Sequence, residues 1–171
     1  MLFSRACEYG LRAALYLSAQ PSPAPIQVKH VAKELGIPNA FLSKVVRDLA
    51  KARLLHTRVG PGGGVRLAKP AAKITLYDVV KAIDGVELFS ECILGIPGCS
   101  DRERVCPLHE QWGQMREQIR QLMKEKTLAD FGAELAKTDD FRESLRSMAQ
   151  VGDAVNLPAE AGVAVTGETG R

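Results

Sequence analysis

The sequence predicts a mainly α-helical fold carrying one small β wing, and three observations point to it. Apolar residues recur at three- and four-residue spacing through most of residues 4–126. The spacing changes to strict alternation only on either side of Gly60-Pro61-Gly62-Gly63-Gly64. Beyond Gly85 a stretch with neither period, ECILGIPGCSDRERVCPLHEQW, holds three of the four cysteines.

The elements follow in order. Residues 4–19 predict a first helix with Ser4 as its N-cap, because a serine side chain can satisfy an amide that the first turn leaves unpaired. Gln20 to Pro25 is a loop by composition. Val28, Val31, Ala32 and Leu35 mark one buried face of a second helix, which Gly36 ends. Pro38 or Asn39 opens a third helix, with Phe41, Leu42, Val45, Val46 and Leu49 expected inside. Ser43, Lys44, Arg47 and Lys51 are left largely on the other side. Two short helices across a tight glycine turn make a helix-turn-helix, whose second helix enters a DNA major groove.

The hairpin strengthens that reading. Leu55, Thr57 and Val59 alternate with His56 and Arg58, and Val65 and Leu67 flank Arg66. The apolar side is expected on the helices, with His56, Arg58 and Arg66 outward. A helix-turn-helix followed by a basic, glycine-tipped hairpin is a winged helix. A nucleotide phosphate loop is the rival, but the G-x4-G-K-[ST] pattern is absent and no helix follows the glycines directly. Thr75 and Asp78 are then spaced as a capping box for a helix through Leu76, Val79, Val80 and Ile83, stopped by Gly85. A longer helix runs from near Leu108 to about Lys126, with Trp112, Met115, Ile119, Leu122 and Met123 as its apolar stripe. Such a stripe suits a second subunit, with Trp112 in the dimer core, or packing on its own domain. Thr127 to Phe131 can start one more short helix, and Phe141 to Met148 has weak helical character.

These elements divide the chain into a winged helix-turn-helix domain (1–85), a cysteine-rich loop (86–107), a long dimerisation helix (108–130) and a weakly structured tail (131–171).

Charge and composition narrow the function. Residues 1–73 hold 12 Lys/Arg against 3 Asp/Glu, a net +9, while residues 74–171 hold 11 against 17, a net −6. A basic half on an acidic half suits a polyanionic partner, and duplex DNA leads. Candidate DNA contacts are Asn39, Ser43, Lys44 and Arg47 on the recognition helix, with Arg58, Gly62, Gly63, Gly64 and Arg66 on the wing. No apolar run approaches the roughly 20 residues of a membrane helix. Arg12 interrupts the N-terminal apolar stretch, which therefore reads as a helix and not a leader, and the protein is expected in the cytoplasm. No nucleophile–base pair or nucleotide fingerprint points to an enzyme.

In a reducing compartment, four cysteines argue for metal or redox chemistry over disulfides. Cys92, Cys99, Cys106 and His109 follow the spacing C-x6-C-x6-C-x2-H, wider than the C-x2-C knuckles of structural zinc. Thiolates with one imidazole suit an iron–sulfur cluster or zinc. Redox thiols or a disulfide pair are the plainer alternative. Cys7, in the first helical turn, is either a thiol activated by the helix dipole or a small buried residue, and burial is favoured.

Taken together, ACEYGLRAALYLS, IPNAFLSKVVRDLAKARLL, GPGGGVRLAKP, ITLYDVVKAIDG and the three-cysteine loop resemble the iron–sulfur-dependent winged-helix transcriptional regulators, the IscR/NsrR-like family, over roughly residues 1–130. The resemblance implies a homodimeric repressor on a palindromic operator, dimerised through the long helix. It implies Cys92, Cys99 and Cys106 as cluster ligands. His109 matches the histidine of the cluster-assembly regulators. Glu8, offered from a partner subunit as in the nitric-oxide sensors, or its neighbour Cys7, is the alternative fourth ligand. A 2Fe–2S cluster is favoured over 4Fe–4S. The gaps of six depart from the shorter or unequal gaps of the best-known members, which leaves both the cluster type and the fourth ligand open. A thiol- or zinc-based regulator without a cluster is the alternative.

Overall fold

Ser4 caps the first helix as its position predicts: its hydroxyl accepts from the Cys7 amide at 3.1 Å. A computed structural model describes residues 2–96, 99 and 106–135. Residues 97–98 and 100–105 of the cysteine loop, and the tail beyond 135 with its expected helix at Phe141–Met148, lie outside the described residues.

Among the described residues, six helices and one hairpin follow in order: α1 (Arg5–Ser18), α2 (Val28–Glu34), α3 (Asn39–Lys51), β1 (Leu55–Arg58), β2 (Gly64–Leu67), α4 (Leu76–Ile83), α5 (His109–Glu125) and α6 (Leu128–Leu135). Short 3-10 turns lie at Ala71–Lys73 and Glu87–Phe89. Helix α2 ends in a paired turn. Ile37 N–H donates to the Ala32 carbonyl and Gly36 N–H to that of Lys33, with Gly36 at φ 62°. That turn sets α3 across α2.

Helices α1, α3 and α4 pack together around Leu42, Leu49, Ile74 and Val79, all almost wholly buried. Leu42, Val45, Val46 and Leu49 all face this core, as their spacing predicts. Phe41 does not. It is 37 % exposed and meets Tyr9 edge-on, ring centroids 5.4 Å apart, because it starts the helix one step round from the buried stripe.

The hairpin pairs Leu55 with Leu67, His56 with Arg66, Thr57 with Val65 and Arg58 with Gly64. Leu55 and Val65 are buried, while Thr57 is exposed. Val59 departs from the expected inward side: it is 97 % exposed, because β1 ends at Arg58 and the ladder no longer holds it. Ile26 adds a single bridge to Val65, with mutual hydrogen bonds of 2.9 and 2.8 Å, and fixes the hairpin to the loop before α2.

Thr75 and Asp78 form the full capping box at the start of α4. Removing a cap of this kind costs about 1 kcal/mol. Thr75→Ala therefore lowers stability by about that amount in urea denaturation, and an unchanged midpoint would contradict the cap.

The long helix is shorter than the expected segment 108–130. It stops at Glu125, and α6 crosses the expected boundary at 130. Thr127-Leu128-Ala129-Asp130 repeats the capping pattern of Thr75-Leu76-Tyr77-Asp78. Its side chains bond accordingly, with Thr127 N–H 2.7 Å from Asp130 Oδ2. The two caps lie side by side through an antiparallel bridge between Thr75 and Thr127. Leu128 is wholly buried and α6 packs on α1, so residues 128–135 belong to the folded body.

Candidate metal centre and nucleic-acid face

The cysteine loop begins where α4 hands over to the turn at Glu87–Phe89 and ends at the first residue of α5. Thirteen residues separate Cys92 from Cys106 in the chain, yet the sulfurs of Cys92, Cys99 and Cys106 all lie within 4.8 Å of one another. Cys106 is buried, and Cys92 and Cys99 are half-buried. His109 reaches this group through Cys99, with Nδ1 3.3 Å from its Sγ. The structure thus brings the three predicted sulfur ligands together, with His109 beside one of them.

Backbone amides face the sulfurs. Leu108 N–H donates to Cys106 Sγ at 3.3 Å. The amides of Ile96 and Leu94 serve Cys92, and with help from the neighbouring thiols they lower its pKa to about 7 despite partial burial. Burial raises the pKa of Cys106. Amide donors stabilise thiolates, the form that binds metal. The donor set therefore fits a soft ion or an iron–sulfur cluster, which Cys92, Cys99 and Cys106 would hold.

Cys7 belongs elsewhere. It is 0 % exposed in the helical body, beside Asp84. Burial first, then the charge and hydrogen bond of Asp84 and the charge of Glu8, push its thiol up to about 12. This placement matches the packed reading of Cys7. Ser4 holds the same Asp84 through both its amide, at 2.8 Å, and its hydroxyl. Glu8 is half-buried on α1. In the reduced, metal-free protein near neutral pH, iodoacetamide accordingly alkylates Cys92 ahead of Cys106 and leaves Cys7 unmodified. Peptide mass spectrometry reads that order, and early labelling of Cys7 would contradict it.

The DNA-facing candidates are also placed. Lys44 and Arg47 are exposed on α3 on the side away from its buried stripe, and Asn39 is exposed at the first position of the helix. Lys51 shares that side but pairs with Asp48 at 3.1 Å. Ser43 is half-buried and its hydroxyl donates to the Asn39 carbonyl at 2.8 Å, so only its acceptor side remains for a base or amide. On the hairpin, His56, Arg58 and Arg66 share one face, since paired and alternate residues point the same way.

The three wing glycines have different roles. Gly60 to Gly63 is a turn with Pro61 second and Gly62 third at φ 73°, the pattern of a type II turn, closed by Gly63 N–H to the Gly60 carbonyl at 2.9 Å. Gly62 faces open space. Gly63 is buried, and a Cβ there would sit 2.3 Å from the Arg58 carbonyl oxygen. At Gly64 a Cβ would sit 2.3 Å from that of Ile26. Gly63 and Gly64 thus serve the close approach of backbones inside the wing, and Gly62, like Gly60, faces open space where a partner can approach.

A family model described as "Rrf2: Iron-dependent Transcriptional regulator" matches residues 3–134. The chain belongs to the Rrf2 family. It is therefore a transcriptional regulator and not an enzyme. The Rrf2 match takes in the winged domain, the cysteine loop and the last two helices. Among Rrf2 relatives, the chain is 39 % identical over 100 residues to the "HTH-type transcriptional regulator NsrR" of Shouchella clausii, covering 54 % of this chain and 66 % of that one. Two solved structures share the fold. CymR of B. subtilis, described as the global cysteine regulator, aligns with TM-score 0.63 at 23 % identity, over 77 % of this chain and 96 % of that one. T. potens IscR aligns with TM-score 0.63 at 20 % identity, over 80 % and 89 %. The expected resemblance to IscR- and NsrR-type regulators and the expected winged fold both hold. Among the described residues no helix is long and apolar enough to cross a membrane.

Proposed function

We propose that this Rrf2 regulator acts in the cytoplasm as a homodimeric repressor. Its affinity for a palindromic duplex operator is set by an iron–sulfur cluster on Cys92, Cys99, Cys106 and His109. The observation that carries this reading is the convergence of three sulfurs to within 4.8 Å at the N-terminus of α5.

The dimer reading rests on α5. Its only buried residue is Arg116, while Met115 and Leu122 are about half exposed. Met115 and Leu122, left half exposed by the described residues, suit the same positions of a second copy. Exposed Lys44 and Arg47 would then enter successive major grooves, while Arg58, Arg66 and Gly62 reach the adjoining backbone or minor groove. Half-sites recur about every 34 Å, so the angle between two heads decides whether both engage. Because Cys106 leads directly into α5, the position of the cysteine loop and the position of the dimer helix are one mechanical question. A bound cluster supplies a redox-active group, labile to oxidants and nitric oxide, that ties the three sulfurs together. Glu8 of a second protomer is the competing fourth ligand to His109.

A second reading has an observation of its own. A single tetrahedral ion with metal–sulfur bonds of about 2.3 Å sets its sulfurs about 3.8 Å apart, and the three sulfurs here sit within 4.8 Å. Zinc, or the bare thiols as a redox switch, uses the same cysteines. Anaerobic purification with an absorption spectrum and iron, sulfide and zinc analyses separates these. Matched iron and sulfide in a brown protein supports the cluster. Stoichiometric zinc in a colourless protein overturns it in favour of the ion. Neither metal, with DNA affinity following thiol oxidation alone, leaves the thiol switch.

A further inference from the structure

The most unusual buried group outside the ligand set is the guanidinium of Arg116. It is 6 % exposed on a helix whose other described side chains all keep some contact with solvent. Its Nη1 donates to the backbone carbonyl of Glu91 at 2.7 Å. One turn earlier, the indole N–H of Trp112 donates to the same oxygen at 2.9 Å. Trp112 is thus half-buried against the cysteine loop instead of serving only as the expected dimer-core residue.

Glu91 immediately precedes Cys92. Its own amide donates to the Glu87 carbonyl at 2.8 Å, so the peptide planes on both sides of Glu91 are held. At the other end of the loop, Cys106 is fixed to the start of α5. The His109 amide donates to its carbonyl at 3.0 Å, and the Leu108 amide donates to its sulfur. Both outer cysteines are therefore fastened to the first two turns of one helix, Cys106 through the chain and Cys92 through two side chains.

We propose that Trp112 and Arg116 are positioning residues that clamp Cys92 beside Cys106 and make the metal site ride on α5. The inference rests on the ligand reading above and deepens it by naming the residues that preorganise the site. The physical reason is closure. A loop with 13 residues between its outer ligands samples many shapes when free, and ordering it on metal binding costs affinity. A buried guanidinium is unfavourable unless it is well hydrogen-bonded, whereas an apolar side chain would fill the same place without that penalty. The carbonyl it holds is the last acceptor before the first ligand. The same clamp gives ligation a route to the dimer helix, since any shift of residues 91–92 pulls on two successive turns of α5.

The test uses Co2+ as the probe, because its visible bands report thiolate ligation without requiring cluster assembly. The full chain, reduced and metal-free, is titrated anaerobically against a chelator. The variants are Trp112→Phe with Arg116→Met, which keep bulk and remove both donors, and Arg116→Lys, which keeps one donor. Removing outer-shell partners of metal ligands costs about 10- to 100-fold in affinity. The double variant is expected to bind Co2+ weaker by that factor with its metal-free melting temperature unchanged, and Arg116→Lys is expected to recover part of the loss. A folded double variant that binds Co2+ as tightly as the parent overturns the clamp. If the double variant does not fold, Trp112→Phe alone decides: unchanged affinity overturns the clamp, and a loss supports it. A parent protein that takes up no Co2+ overturns the ligand assignment itself, and the clamp with it.

Discussion

Alanine at Cys92, Cys99 and Cys106 together abolishes iron and sulfide uptake and leaves the winged domain folded. The two halves of this expectation have separate grounds. None of the three belongs to the apolar core built on α1, α3, α4 and α6, so losing their sulfurs removes little packing. Their thiols are free, and no disulfide closes the loop. Cys106 is buried and accepts the Leu108 amide, so the stability loss is expected to be about 1–2 kcal/mol, too small to unfold the winged domain. Metal uptake, in contrast, loses all three sulfur ligands at once. Each single alanine leaves two sulfurs and is expected to lose the cluster as well. His109→Ala is milder, because a water, Glu8 of a second protomer or another donor can replace one imidazole. Iron and sulfide assays beside a thermal melt check both halves. A triple variant that still carries matched iron and sulfide would remove these residues from the site.

Arg47→Ala weakens specific operator binding by about 1–3 kcal/mol, the usual worth of a bidentate guanidinium on a base pair. Arg47 is exposed on α3, one residue along from buried Val46 and on the side away from the core. Removing its side chain exposes no core, so folding and metal content are expected to stay as in the parent. Lys44→Ala gives the contrasting result. As a phosphate contact it weakens all sequences alike and reduces the slope of log affinity against log salt by about 0.9. Anisotropy titrations on selected and scrambled duplexes at several salt concentrations distinguish the two. Unchanged affinity for the selected duplex in Arg47→Ala would exclude α3 as the reading element in this register.

Much of this fold was legible before any coordinates. Ser4 and the Thr75–Asp78 box announce helix starts because the chemistry of a cap is local. The alternation on either side of the wing glycines is local too. What escaped was set by context. Phe41 and Val59 look like core by type, yet one lies just off the buried stripe and the other just past the end of the ladder. The short helix expected to start at Thr127 forms as α6, and only its continuation past the expected boundary at 130 was missed, although Thr127–Asp130 carries the same capping pattern as Thr75–Asp78. Arg53 holds a left-handed position, φ 58°, at the end of α3, where glycine is the usual residue, so no glycine marked that stop.

The site divides in the same way. Ligand types and spacing pointed to Cys92, Cys99 and Cys106, and their sulfurs do converge. Nothing in the sequence pairs Glu91 with Trp112 and Arg116, because a backbone carbonyl leaves no mark in residue identity. Burial of Cys7 is the reading its residue type favours, and only the neighbouring Asp84, which raises its pKa further, is visible in the packing alone.

In the proposed mechanism, ligation at the three cysteines sets operator affinity. The most direct measurement takes one anaerobic preparation and selects a duplex from a random pool. Affinity for that duplex is then compared before and after chelation of the metal, in the parent and in the triple alanine variant. The account predicts that the parent changes affinity by about tenfold or more, equivalent to about 1.4 kcal/mol of coupling. The variant is expected to bind identically before and after. Equal affinity of the loaded and stripped parent would contradict the account.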